Sequence, residues 1–138
     1  MNYQDQVVVL TGASGGIGSA MAKKFTDLGA KVALLDITVD RVQALADKLG
    51  LGSDRAFCAA VDVSNEESVK ATVDAIVKHF GRIDVLVNAA GIPGPSARVE
   101  DYSFSDAKKV LSVNLFGTFL MMHTVLPVMQ AQKHGAIL

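Results

Sequence analysis

An apolar run that breaks into a cluster of glycines constrains this chain more than any other feature: Val7-Val8-Val9-Leu10-Thr11-Gly12-Ala13-Ser14-Gly15-Gly16-Ile17-Gly18. Four consecutive apolar residues bounded by turn formers fit a strand buried on both faces, and the pattern after the glycines is helical. Gly12 can make the tight turn that leaves the strand. Gly16 lets backbone N–H groups approach a ligand without a side chain in the way, and Gly18 lets the next helix pack closely. A helix that opens on such a loop aims its unsatisfied N–H groups and positive dipole end at whatever lies above it, so the stretch is a candidate phosphate site. A purely structural turn is the alternative, and the strand, turn and helix context favours the dinucleotide loop.

The rest of the chain alternates strand and helix patterns with no Pro- or Ser-rich linker. Ile17, Met21, Phe25 and Leu28 fall at helical spacing and Gly29 supplies a stop. Residues 31–36 form a second strand, apolar at Val32, Ala33, Leu34 and Leu35. A helix from about Thr38 buries Val42, Leu45, Ala46 and Leu49, and Gly50 and Gly52 end it. After a third strand at 56–61, Ser64-x-x-Glu67 has the form of a capping box. It precedes a helix with Val69, Val73, Ile76, Val77 and Phe80 on one face, closed by Gly81.

A fourth strand at 83–88 leads into a Gly/Pro loop at 89–95. A short helix is expected at 102–112, then a long one from Asn114 to about Lys133, apolar nearly all round, which Pro127 should kink or break. Residues 135–138 begin a fifth strand. The expected fold is α/β, a Rossmann-type doubly wound parallel sheet with about four full strands and the start of a fifth, in one domain over residues 1–138. Right-handed crossovers then place Gly12, Asp36, Asp62 and Asn88 along one edge of the sheet, facing one crevice.

Composition narrows the function classes. The 138 residues suffice for one domain with a real core. Thirteen basic residues nearly balance 14 acidic ones, without a basic cluster, which speaks against nucleic acid or an anionic membrane as partner. No basic, apolar and small-residue order marks a signal peptide at the N-terminus, so a cytoplasmic protein is expected. The apolar stretch 115–129 is interrupted by Gly117, Thr118, His123, Thr124 and Pro127 and falls short of a membrane span. Cys58 is alone and reads as a small core residue. His79, His123 and His134 lack metal-ligand spacing, so no metal is expected.

Asp36 stands at the end of the second strand, 18 residues after Gly18, where a carboxylate can accept hydrogen bonds from the adenosine ribose hydroxyls and repel a 2′-phosphate. Neither Ile37 nor Ala13 nor Ser14 offers a cation to pair with that phosphate, so NAD is favoured over NADP. An Asp that merely caps the next helix is the alternative.

Thr11-Gly12-x-x-x-Gly16-x-Gly18 resembles the cofactor loop of the short-chain dehydrogenase/reductase family, and the resemblance continues along the chain. Asp62-Val63 resembles the family's adenine contact. Asn88-Ala89-Ala90-Gly91 is similar to its Asn-Asn-Ala-Gly signature, with Ala89 where a second Asn often stands. Asn114 matches an Asn that helps hold a water in a proton relay, although on residues alone it is as readily a helix N-cap. The resemblance thus implies cofactor binding by Gly12, Ser14, Gly16, Ile17, Gly18, Asp36, Ile37, Asp62, Val63, Asn88, Ala89 and Gly91.

In that family the reaction is carried by a Ser beyond the fifth strand and a Tyr-x-x-x-Lys pair on the following helix. The chain has two tyrosines, Tyr3 and Tyr102, and the residue four beyond Tyr102 is Asp106, whose charge would raise a phenol's pKa. The resemblance therefore implies the NAD-binding half of an oxidoreductase acting on a small alcohol or carbonyl, inactive by itself. Two alternatives remain: a dinucleotide-binding module without turnover, and an interaction protein. Self-association is expected through the sheet edge and the helix 115–129.

Overall fold

In the computed structural model, which describes residues 3–138, the apolar runs meet in one parallel sheet of order β3-β2-β1-β4-β5. The strands are β1 (Val7–Thr11), β2 (Lys31–Asp36), β3 (Ala56–Ala60), β4 (Val85–Asn88) and β5 (Ala136–Ile137). Side chains alternate across a strand, so each run feeds two cores at once. Val7, Val9, Ala33, Leu35 and Leu86 pack on one face with Val69, Ile76, Met121 and Val125. Val8, Leu10, Val32, Leu34 and Val87 pack on the other with Ala22, Phe25, Val42 and Ala46. All five residues of β1 are buried, as a central strand covered by helices on both sides requires.

Chain order runs outward from β1 through β2 to β3, then returns to β4 on the other side of β1. The ends of β1 and β4 thus flank the point where the strand order reverses, with Thr11 paired to Asn88 on one side and Leu35 on the other. Such a reversal opens a crevice at the carboxyl ends of the strands.

The helices follow the expected pattern with four corrections. In α1 (Gly16–Asp27) the inward residues are Gly18, Ala22, Phe25 and Thr26, while Ile17 is 74% exposed, because the first turn stands clear of the sheet at the mouth of the loop. Helix α2 (Val39–Lys48) buries Val42 and Ala46 as expected. Helix α3 (Glu66–Phe80) is capped by Asn65, whose side chain accepts from the Ser68 amide at 2.8 Å. The capping box at Ser64 does not form: the Ser64 amide and hydroxyl both donate to Asp62 Oδ1, which draws Ser64 back into the turn.

The third correction concerns the long helices. After a 3₁₀ turn at Val99–Asp101, α4 (Phe104–Leu111), a π turn (Ser112–Gly117) and α5 (Thr118–Gln132) run on as a single helix from Phe104 to Gln132. Asn114 therefore lies inside a helix and is no N-cap. The irregularity expected at Pro127 is the fourth correction. It sits instead at the π turn, and α5 continues across the proline. By length and composition alone this 29-residue helix could cross a membrane. In this fold Met121, Val125 and Met129 pack one side of it into the core against the sheet, while most of the helix stays open to solvent.

At the amino ends of the strands, the buried Asp84 accepts from the Val7 amide and from a forked Arg82, with His134 Nε2 3.5 Å away. Gln132 bonds both backbone groups of Ile83, so the end of α5 is tied to the approach of β4.

Candidate functional site

The floor of the crevice is made by backbone that only small residues allow. Gly12 has φ +61°, and a Cβ there would lie 2.6 Å from the carbonyl oxygen of Ala89. The turn after β1 therefore packs directly on the loop after β4. Gly18 has the same role one layer up, since a Cβ on it would collide with the Gly12 carbonyl and Ala13. Thr11 joins the two loops from below: its buried Oγ1 accepts from the amides of Ala89 and Ala90, both at 3.1 Å, and donates to the Val87 carbonyl.

On the far side of the loop, Asp36 Oδ2 accepts from the Ser14 hydroxyl at 2.6 Å and the Ser14 amide at 3.1 Å, while Oδ1 accepts from the Ile37 amide at 2.8 Å. The end of β2 is thereby fixed to the glycine loop. Asp62, exposed at the end of β3, holds Ser64 through Oδ1, and its own amide donates to Ser68 Oγ. Asn114 clamps the remaining wall, accepting from the Ile92 amide at 2.8 Å and donating to the Ile92 carbonyl at 2.9 Å.

These elements enclose a cavity of about 650 Å³. Of the residues expected at the cofactor, Gly12, Ser14, Asp36, Ile37, Asp62, Val63, Ala89 and Gly91 line it. Gly16, Ile17 and Gly18 do not line it; they form the first turn of α1 beside it. Gly16 is exposed with open space where a Cβ would stand, and no side chain caps α1, so its first amides are presented outward. That open cradle fits a diphosphate.

Asn88 departs from expectation. It does not line the crevice: its Nδ2 turns toward the Leu138 carbonyl at 3.4 Å, because β5 pairs alongside. Its buried Oδ1 has no partner among the described residues. Asn114 likewise acts behind the wall, through Ile92.

Sequence reasoning missed Arg41, Lys109, Ser112 and Val113, all of which line the cavity. Arg41 was within reach of it, since the first turn of a helix that follows a strand end must stand over that end. Lys109, Ser112 and Val113 depend on the fusion of the two helices, which no local pattern announced.

Other reactive groups lie elsewhere. Cys58 Sγ contacts the Val42 carbonyl, and burial, reinforced by the Asp47 carboxylate, pushes its thiol above the ordinary value, which makes it a poor nucleophile. His79 bonds the Ser53 carbonyl and His123 stacks on Phe119. Among the described residues no group of His, Cys, Asp and Glu could hold a metal ion.

A family model described as short chain dehydrogenase matches residues 6–138. D-threitol dehydrogenase of Mycolicibacterium smegmatis is 42% identical over 134 residues, which are 96% of this chain and 50% of that protein. The crystal structure of NAD+-bound xylitol dehydrogenase superimposes with a TM-score of 0.91 at 36% identity, covering 99% of this chain and 53% of that one. A metagenomic short-chain oxidoreductase in complex with NADP gives 0.90 at 33% identity, over 98% and 61%. The chain spans about half the length of the curated relatives it matches.

Proposed function

The chain belongs to the short-chain dehydrogenase family, and from that premise we propose that it is the cofactor-binding half of an NAD-dependent oxidoreductase that interconverts an alcohol and a carbonyl. The observation that carries this reading is the crevice itself: the glycine turn after β1 and the Asp36 carboxylate after β2 are fixed to one another through Ser14, on the edge where the strand order reverses. The outward amides of α1 would take the diphosphate and Asp36 the adenosine ribose, with Val63 beside the base. The dinucleotide supplies or accepts the hydride when bound.

The 138 residues hold no Tyr-x-x-x-Lys. In this reading proton transfer belongs to the longer protein, and this chain binds NAD without turning over carbonyls. Asn114 contributes by holding the wall at Ile92. Calorimetric titration with NAD tests the proposal. Saturable binding is expected, weakened about tenfold by Asp36→Ala through loss of a charge-assisted hydrogen bond. Absence of binding by the native chain would overturn it, as would an Asp36→Ala variant that binds NAD unchanged.

A second reading, a self-associating module, draws on one observation. Leu115, Phe116 and Phe119 are each more than half exposed on one stretch of helix. It is compatible with the first, because that stretch lies outside the cavity.

A further inference from the structure

Part of the crevice is built without the glycine loop, from two walls that touch. Val61, Asp62, Val63 and Ser64 form one, after β3, and Lys109, Ser112 and Val113 of the helix Phe104–Gln132 form the other. A Cβ on Gly117 would stand 2.6 Å from Val63 Cγ2, so the helix packs directly on the loop after β3. Val113 packs against the same core cluster as Val61 and Val63, and Lys109 lies one helical turn before it, on the same face. Val63 and Val113 thus give this slot apolar sides.

Two opposite charges border the slot, and neither is spent. Asp62 takes the Ser64 amide and hydroxyl on Oδ1 and has no donor on Oδ2 among the described residues. Lys109 is exposed and has no hydrogen bond or ion pair with any described residue, whereas its neighbour Lys108 lies 5.0 Å over the ring of Phe104. Apolar sides with one acceptor and one donor beside them fit a flat heteroaromatic base. A phosphate would meet the Asp62 carboxylate, and a sugar would bring polar groups against the apolar sides. Adenine carries the matching edge, an amine that donates beside a ring nitrogen that accepts.

We infer that Lys109 reads the base of the dinucleotide: its ammonium donates to a ring nitrogen of adenine, beside the exocyclic amine that faces Asp62. The inference rests on the dinucleotide reading and adds to it a base-recognising residue from the helix wall. The contact is a charge-assisted hydrogen bond to an uncharged ring, which separates it from a general attraction between a lysine and the diphosphate.

The test is calorimetric titration of NAD, and of its analogues with adenine N1 or N7 replaced by CH, into the native chain, Lys109→Met and Lys109→Arg. Methionine keeps an apolar stem and removes the donor. Lys109→Met should weaken NAD about fivefold, the scale of one exposed charge-assisted hydrogen bond, and Lys109→Arg should recover part of the loss. The loss should persist when salt is raised from about 0.05 M to about 0.5 M, where attraction to the diphosphate is screened. One of the two analogues, the one lacking the nitrogen that Lys109 reads, should bind the native chain and Lys109→Met equally. Native NAD binding with no loss in Lys109→Met overturns this inference alone, as does a loss that vanishes at high salt or is the same for all three dinucleotides. Failure of the native chain to bind NAD overturns the dinucleotide reading with it.

Discussion

At the scale of the residue, the crevice depends on side chains that spend their polarity on backbone. Thr11 is the clearest: a 1%-exposed hydroxyl accepts two amides from residues 78 and 79 positions away. Thr11→Val keeps the shape and removes the acceptor, leaving the amides of Ala89 and Ala90 unpaired under the loop. A cost of about 2 kcal/mol is expected, since a buried donor left without a partner loses its full desolvation energy. Thr11→Ser, which keeps the hydroxyl, should recover most of that. Denaturant unfolding measures both, and equal stability of the Val and Ser variants would show that the hydroxyl carries no such load. This role was not legible in the sequence, where Thr11 stands out only as the residue that precedes the first glycine of the loop. Gly12 and Asp36 were legible because a positive φ and a carboxylate at a strand end each have few substitutes. Asn88 misled for the opposite reason, since a strand-end amide can turn either way and the neighbouring strand decided it.

At the scale of the element, the strands were readable to within a residue or two because burial on both faces leaves a continuous apolar signature, and Gly29 and Gly81 punctuate the helices. Where two local signals compete the reading failed, as with Ser64 and Asn65, either of which could cap α3. It failed again where an element is defined by its neighbours: the π turn at Ser112–Gly117 erases the boundary placed at Asn114. That turn lies where the helix meets two loops of the site. A Cβ on Gly117 would stand 2.6 Å from Val63 Cγ2, and Asn114 grips Ile92 through both of its backbone groups. π turns are frequent at functional sites, and this one packs the helix against the loops that form the crevice wall. Asn114→Ala should release Ile92, with faster amide exchange at that residue and a stability loss of about 1 kcal/mol or less, because the pair is exposed. An unchanged exchange rate at Ile92 would mean that the loop is held by something other than the helix.

At the scale of the whole molecule, two properties of the fold pull on one another. The sheet and its two cores are closed, with strand residues of β1, β2 and β4 almost wholly buried, yet the helix running from Phe104 to Gln132 shows solvent a row of large apolar side chains. Phe104 is 76% exposed, Leu111 50%, Leu115 57% and Phe119 55%, at spacings of seven, four and four residues that keep them near one helix face. The row spans about 22 Å at the helical rise, long enough to form the spine of an interface between two copies of the chain. Their opposite face is committed to the sheet through Met121 and Val125. If two copies pair through this row, association and dinucleotide binding need not compete, since none of its four side chains lines the crevice. Sedimentation of the native chain across the micromolar range should show a dimer or larger species. The double variant Leu115→Lys/Phe119→Lys should sediment as a monomer with its NAD affinity retained, because neither residue supports the core or the cavity. A native chain that stays monomeric at every concentration would contradict this assembly, and loss of NAD binding in the monomeric variant would show instead that the crevice is completed across the interface.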